Sequence, residues 1–255
     1  MRSNIKSYRD AAQFYDLFSD NADIPFYLEI AGRFGSPILE LACGTGRVSI
    51  RLAEAGHDVV GVDTTKEMLD IAGKKRDELP LEVRHRLQFL RGDVTGLHLG
   101  GKFPLVIIPS AFHFCISEDQ QLKCLESVKR HMSDTAVFVL DLRPGLVSEG
   151  AGEWSDSPVT LDDRTVRRYG TYSTDLERRV QERTLTVEVR HDDGQVDVTQ
   201  TEQAVATLSD EDANVLLSMS GFEVMEEYGD WDFSPYSPGM RRRILVLKSV
   251  DSAHS

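Results

Sequence analysis

A short apolar run at 38–41 passes directly into Ala42-Cys43-Gly44-Thr45-Gly46, and from there into the amphipathic stretch Arg-Val-Ser-Ile-Arg-Leu-Ala-Glu. A strand that turns through Gly-x-Gly into a helix can fold in few ways. The glycines let the backbone turn sharply and approach a ligand, and the helix start offers N–H groups with no partner within the helix. The segment therefore predicts the first strand and helix of an open α/β sheet, with a binding site at the strand's carboxyl end.

The surrounding sequence repeats the pattern. Apolar runs occupy 37–42, 58–62, 87–91, 103–109 and 135–142, rich in Val, Ile and Leu as strands buried on both faces must be. Helical periodicity fills the gaps. Thr64 with Glu67 reads as a capping box before one helix, and Ser117 with Gln120 before another, on which Leu122, Cys124, Leu125 and Val128 share a face. Alternation of this kind implies a parallel sheet with right-handed crossovers.

After Pro144 the period changes. The turn-rich stretch 145–163 reads as loop, followed by β-like runs at 164–172, 178–190 and 196–208. Leu185, Val187 and Val189 alternate with polar residues, as in a half-buried antiparallel strand, and the Asp193-Gly194 dipeptide marks a hairpin turn. Ser209 then caps a helix that Gly221 ends, and strands follow at 222–229 and 242–249. The tail 250–255 reads as disordered. The expected organisation is an amino-terminal pair of helices over 1–35, an α/β core over 36–149 and 208–249, and an antiparallel β insertion over 150–207. The insertion is too short for a robust core of its own.

Composition narrows the function. Lys plus Arg is 29 and Asp plus Glu is 42, giving a net charge of 29 − 42 = −13. Such a field repels phosphate backbones and argues against nucleic acid as a partner. No run approaches the ~20 apolar residues of a membrane span, and the first residues contain no apolar signal core. Three cysteines without a Cys-x-x-Cys fit a reducing, cytoplasmic setting. The seven histidines show no metal-ligand spacing, so no metal is expected.

Two ligand classes use the strand–Gly-x-Gly–helix geometry, dinucleotides and S-adenosylmethionine. The dinucleotide fingerprint places a third Gly where this chain has Ser49. Glu40, at the strand's end, suits a cationic ligand better than a pyrophosphate. Asp63 closes the second strand, 19 residues after Gly44, where either class uses an acid to hold ribose hydroxyls. Gly92-Asp93-Val94 ends the third strand, where a carboxylate beside a backbone amide can meet an adenine edge.

Together, Glu-Leu-Ala-Cys-Gly-Thr-Gly, Val-Asp and Gly-Asp-Val at these spacings resemble the class I S-adenosylmethionine-dependent methyltransferases, over about 37–142 and 209–248. The resemblance implies a Rossmann-like seven-stranded sheet with an antiparallel edge. S-adenosyl-L-methionine would be the cofactor. Carried over by position, Glu40, Ala42, Gly44 and Gly46 would form the methionyl turn and Asp63 the ribose ligand. Thr64 and Met68 would flank the nucleoside, Asp93 and Val94 would contact adenine, and Pro109 would close the fourth strand.

The resemblance also makes the stretch from Tyr8 to Asp16 a lid, with Tyr15 at the methionyl end. It places Ser110 and His113 between methyl group and acceptor, His113 as base or positioning group. Tyr169, Trp231 and Tyr236 become candidate walls of an acceptor pocket. The seven arginines between 164 and 190, interspersed with acids, read as a solvated, self-neutralising sheet face, and at least one of the three at 241–243 is expected to meet a carboxylate of the acceptor loop. The function implied is methyl transfer to a small molecule, with amine N-methylation ahead of O-methylation. A non-catalytic cofactor-binding module and an NAD-dependent oxidoreductase are the alternatives. Oligomeric state is not legible in the sequence.

Overall fold

The computed structural model describes residues 8–144 and 150–250. The stretch 145–149, and the expected disordered tail beyond 250, lie outside them.

The first half alternates as the apolar runs require. Helix α1 (Ile24–Phe34) leads into β1 (Ile38–Leu41), α2 (Arg47–Glu54) and β2 (Val59–Asp63). Then come α3 (Lys66–Asp77), the short α4 (Leu81–Arg84), β3 (Leu87–Arg91), β4 (Phe103–Ile108), α5 (Glu118–His131) and β5 (Met132–Leu142). The carboxyl-terminal end adds α6 (Asp210–Met219). It is followed by two strands, Phe222–Tyr228 and Arg243–Ser249.

Between these halves lie β6 (Gly150–Ser155), β7 (Val159–Leu161), β8 (Arg164–Asp175), β9 (Val180–His191) and β10 (Val196–Ala206), so the last two strands of the chain are β11 and β12. The seven-stranded sheet has the order β11-β12-β5-β4-β1-β2-β3. β12 runs antiparallel to both β5 and β11, and the other pairs are parallel. The final strand is thus the reversed one, and its pairing with β11 gives the sheet the antiparallel edge expected from the sequence. β12 is apolar from Ile244 through Leu247, all fully buried, and such a run needs a neighbour on each side.

Each face of this sheet is covered. Leu39 and Leu41 pack with Cys124, Leu125 and Val128 of α5 and with Leu216 of α6. Ile38 points to the other face, among Phe26, Tyr27 and Ile30 of α1 and Val48 and Leu52 of α2. Strand alternation therefore sends Glu40, with Ile38, toward α2.

The expected capping boxes divide. Ser117 with Gln120 forms one, and Ser209 caps α6 reciprocally with Asp212. Thr64 with Glu67 does not. The N-cap of α3 is Thr65, and the Asp63 side chain already takes the Thr65 N–H at 2.7 Å.

The reading of 145–163 as loop fails where β6 and β7 both pair antiparallel with β8. Gly150-Ala151-Gly152 and the prolines nearby obscure a strand whose pairing partner supplies its order. The second sheet has the order β10-β9-β8-β6. Its inner face carries Val166, Leu185, Val187 and Val189, all under 7% exposed, packed on Ala11, Phe14, Leu17 and Phe18. Full burial of each aliphatic side chain contributes about 1.5–3 kcal/mol. Those amino-terminal residues lie on two 3-10 turns, Tyr8–Phe14 and Asp16–Phe18, rather than on a regular helix. The segment is also fixed to the core, where Asp16 accepts from Thr45 Oγ1 at 2.6 Å and from Lys75 Nζ at 2.9 Å. No helix among the described residues is long and apolar enough to cross a membrane.

Candidate active site

In the seven-stranded sheet, β1 lies between β4 and β2, and the crevice outside their carboxyl ends is the topological switch point. A cavity of about 360 Å³ occupies it. Its walls include Ala42 and Gly44 after β1, Asp63, Thr64 and Met68 after β2, Asp93 and Val94 after β3, and Pro109 and Ser110 after β4, with Tyr15 arriving from the amino-terminal segment. Ala42 at φ 56° and Ser110 at φ 47° hold left-handed backbone at the ends of adjacent strands. Non-glycine residues keep such conformations only where their surroundings enforce them.

The two turn glycines have different tasks. A Cβ on Gly44 would enter open space, so its bare face opens on the cavity. A Cβ on Gly46 would stand 2.6 Å from Phe89 Cζ. Gly46 does not line the cavity, and its lack of a side chain serves packing. Gly44 N–H donates to Asp63 Oδ2 at 2.9 Å, and Thr65 N–H donates to Oδ1 at 2.7 Å. Asp63 is thereby locked in place, and each of its oxygens keeps a lone pair for a further donor. Asp93 Oδ1 accepts from Thr95 N–H at 2.9 Å and Thr95 Oγ1 at 2.7 Å, closing a turn while its second oxygen stays open.

Glu40 is not on the cavity wall. It is 2% exposed beneath the turn and accepts from Ser49 Oγ on α2. Burial raises its carboxyl to about 7, with Ser49 and Arg47 opposing the shift. Ser49, the residue standing where a dinucleotide fingerprint has its third Gly, is thus the partner of the buried acid.

A second cavity of about 590 Å³ adjoins the first, and Tyr15, Ser110, Phe114 and Gln203 line both. Its roof is the inner face of the second sheet, where Tyr172, Arg183 and Gln203 form one cross-strand row. Its floor holds Ser110, His113, Arg143 and Trp231. His113 is half-buried on the 3-10 turn Phe112–Phe114. Desolvation, then the nearby charges of Arg143 and Arg183, push its imidazole down to about 3.

Ser110 Oγ donates to Asp141 Oδ2 at 2.6 Å, and Arg242 donates to both. Arg242 is therefore the member of the carboxyl-terminal arginine group that meets a carboxylate near the acceptor loop. Its guanidinium lies 3.6 Å from the Trp231 ring centroid, which places the indole at the cavity. Arg243 is engaged elsewhere, with Glu227, Asp210 and Asn214.

Two aromatic candidates are not brought to the site. Tyr169 is on the opposite face of β8 from Arg168 and Tyr172, and does not line the cavity. Tyr236 donates to Asp210 Oδ2 at 2.6 Å, with Arg243 beside its ring. The arginine-rich strands are not a wholly solvated face either. Arg168 lines the cavity, bonded to Asp156 at 2.6 Å and set over Phe18, and Arg183 lines it too. A signal for Arg183 exists in the sequence. It is two residues before Leu185 and shares the parity of the apolar set that must face inward. Arg143 and Gln203 carry no such mark.

A doubly wound sheet with an acidic, glycine-turned crevice at its switch point is a nucleoside-binding enzyme fold. Residues 38–135 match the family described as a methyltransferase domain. The cypemycin N-terminal methyltransferase of a Streptomyces species is 25% identical over 217 residues, 84% of this chain and 83% of that one. Among solved structures, the CcbJ methyltransferase from Streptomyces caelestis superposes with a TM-score of 0.83 at 18% identity, over 97% of this chain and 100% of that one. A sugar N-methyltransferase from a Streptoalloteichus species gives a TM-score of 0.72 at 20% identity, over 96% and 94%. The chain carries a methyltransferase domain in the fold of the class I S-adenosylmethionine-dependent enzymes, and S-adenosylmethionine is its cofactor. The smaller cavity fits that molecule. The charged side chains on its wall are Asp63 and Asp93, both acidic, as a sulfonium and an ammonium require, and Asp63 retains lone pairs for ribose hydroxyls.

Proposed function

We propose that this enzyme N-methylates a small amine held in the larger cavity. The observation that carries the reading is the junction itself. The cavity of about 590 Å³ meets the cofactor crevice at Tyr15, Ser110, Phe114 and Gln203, and the second sheet roofs it. The assignment makes 150–206 a cover for the acceptor and the amino-terminal segment a wall common to both ligands. A volume in the usual range for small-molecule sites favours a compact acceptor.

Under this reading, Ala42 and Gly44 hold the methionyl part, Asp63 and Thr64 the ribose, Met68 one side of the nucleoside, and Asp93 and Val94 the adenine. Tyr15 and Pro109 flank the sulfur end. The cofactor supplies a methyl group already activated by its sulfonium. The chain's task is then to align a nucleophile and exclude water, which alone lowers a barrier by several kcal/mol.

The titratable groups favour nitrogen over oxygen as that nucleophile. A phenol of pKa about 10 must lose its proton to a base. The imidazole in the cavity, at about 3, is a poor one. Of the carboxylates on the wall, Asp23 and Asp156 are committed to Arg47 and Arg168, and Asp20 accepts the Ala22 N–H at 3.2 Å. A free amine attacks through its lone pair and releases its proton to solvent afterwards. His113 then serves as a neutral hydrogen-bond acceptor that turns the amine toward the methyl. The relative named as the cypemycin N-terminal methyltransferase fits the same chemistry. The three buried cysteines, all unpaired, suit the reducing cytoplasm.

The test is release of S-adenosylhomocysteine with a panel of small amines and phenols. Turnover on amines, with kcat/KM showing no inflection near pH 6.5, is expected. Turnover confined to phenols would overturn N-methylation, and tight cofactor binding with no transfer to any probe would leave a binding module.

A further inference from the structure

Methyl transfer uses none of the three cysteines, yet two of them meet beside the cofactor crevice. Cys115 follows the 3-10 turn Phe112–Phe114, and its N–H donates to the Phe112 carbonyl at 3.0 Å. The start of α5 reaches back to the same segment. Gln121 Nε2 donates to the Cys115 carbonyl at 2.9 Å, and Gln120 Oε1 accepts the Ile116 N–H at 2.9 Å. The residue three and four places after these glutamines shares their side of the helix. That residue is Cys124, and its thiol donates to the sulfur of Cys115. The two thiols differ in what they face. Cys124 is 1% exposed, packed in the core with Leu125 and Val128. Cys115 is 6% exposed and lines the cofactor crevice, on the wall that also carries Pro109, Ala111, Phe114 and Ile116. Cys43, the third cysteine, is buried off that wall.

We propose that Cys115 and Cys124 form an oxidation site that governs cofactor binding, in which hydrogen peroxide reaching the cofactor-free crevice converts the two thiols into a disulfide. The Cys115 thiolate attacks one peroxide oxygen and the O–O bond breaks. Hydroxide leaves and takes up the thiol's proton as water, and Cys115 becomes a sulfenic acid. The Cys124 sulfur then attacks the sulfenic sulfur, the S–O bond breaks, and a second water leaves with the Cys124 proton. Two thiols lose two electrons and one peroxide is reduced to two waters. The hydrogen bond between the thiols sets their roles. It holds the Cys115 thiol below its ordinary value, against burial and Asp93, and holds the Cys124 thiol above its own. Cys115 is thus the nucleophile that meets the oxidant, and Cys124 is the resolving thiol behind it. Joining the sulfurs draws Cys115 toward α5, and with it the crevice wall around Phe114, so the oxidised protein binds the cofactor more weakly. By linkage, bound cofactor disfavours the disulfide by the same factor. The inference rests on the cofactor crevice alone and not on the acceptor or its nucleophile.

The experiment treats the whole reduced chain with hydrogen peroxide, with and without saturating S-adenosylhomocysteine. Samples are unfolded, alkylated and read by peptide mass spectrometry. Without ligand, a Cys115–Cys124 disulfide should form while Cys43 stays alkylated, and S-adenosylhomocysteine should suppress it. Calorimetry on the oxidised protein should show S-adenosylhomocysteine bound about five- to 150-fold more weakly, the usual span of such couplings, with dithiothreitol restoring the affinity. Cys124→Ser removes the resolving thiol. Excess peroxide should then carry Cys115 to the sulfinic acid, which dithiothreitol does not reduce. The proposal is overturned if Cys115 and Cys124 both remain alkylated in the cofactor-free protein, or if the disulfide forms equally fast with ligand bound. It is equally overturned if the oxidised protein binds S-adenosylhomocysteine as tightly as the reduced one, or if peroxide-treated Cys124→Ser recovers with dithiothreitol as the wild type does. The wild-type measurements stand whether or not that variant folds.

Discussion

The two cavities meet at Ser110 and Tyr15 but are built on different principles. The cofactor crevice is made from the ends of adjacent parallel strands. Its contacts are backbone turns and two carboxylates, and Asp63 is positioned by main-chain N–H groups of Gly44 and Thr65. The larger cavity is made from side chains brought together across long separations. Arg183 meets Gln203 across β9 and β10, His113 faces them from a turn after β4, and Trp231 arrives from the connection between β11 and β12. A site made of backbone can bind one invariant ligand. A site made of side chains can be altered one residue at a time without disturbing the first.

The sharpest way to test that contrast is Asp63→Ala. The substitution removes the acceptor of two N–H bonds as well as the ribose contact proposed above. Hydrogen bonds to a charged group contribute about 1.5–3 kcal/mol each, so losing the two N–H bonds costs stability about 3–6 kcal/mol and losing the ribose contact costs cofactor affinity about 1.5–3 kcal/mol more. Thermal unfolding and calorimetry with S-adenosylhomocysteine separate the two. A variant that folds and binds the cofactor normally would mean the ribose lies elsewhere.

The difference between the cavities also explains what could be read from the sequence. Gly44, Asp63, Asp93 and Val94 sit in contiguous strand–turn segments, and a parallel sheet brings such segments to one edge whatever the rest of the chain does. The larger cavity depends on register. Tyr169 was expected there and Tyr172 was not, because facing depends on which residues of β8 pair with the buried set of β9. That pairing places Val166 opposite Val189 and Tyr172 opposite Arg183. β6 and β7 were illegible for a related reason, since their order comes from β8 and not from their own propensity. Tyr236 was misread because aromatic clustering does not distinguish a wall from a ring that braces Asp210. Glu40 was expected on the wall and is instead buried, since a four-residue strand gives its face only once its neighbours are known.

Glu40 supplies a second, smaller test, confined to the backbone-built side. Its carboxyl is raised from 4.5 to about 7 by burial. Between those values the folded protein binds a proton that the unfolded chain has released. Stability from this group is therefore present at low pH and declines as pH rises through 4.5 to 7, by about 3 kcal/mol in total. Glu40→Gln keeps an acceptor for Ser49 and removes the titration. The cofactor-free wild type should lose melting temperature relative to Glu40→Gln as pH is raised over that window, and the gap should stop widening above it. Parallel profiles for the two proteins would show that Glu40 is ionised throughout.

The smallest expected effects come from the turn glycines, and they divide the crevice most finely. Both sit in left-handed backbone, Gly44 at φ 56° and Gly46 at φ 74°, where an alanine costs about 1–2 kcal/mol whatever space surrounds it. At Gly46 the new methyl would also meet Phe89 at 2.6 Å and the Ala72 Cβ at 3.2 Å, so strain is added to the helix–sheet packing. At Gly44 it would meet no protein atom within 4 Å and would stand in the space assigned to the methionyl group. Gly46→Ala should therefore lower the melting temperature more than Gly44→Ala does. Gly44→Ala should weaken S-adenosylhomocysteine binding more than its modest loss of stability accounts for. Calorimetry and thermal unfolding on the pair read both quantities. If the order of the two variants is the same in both measurements, the turn acts as a single structural unit, and the separation of a ligand-facing glycine from a packing glycine is wrong.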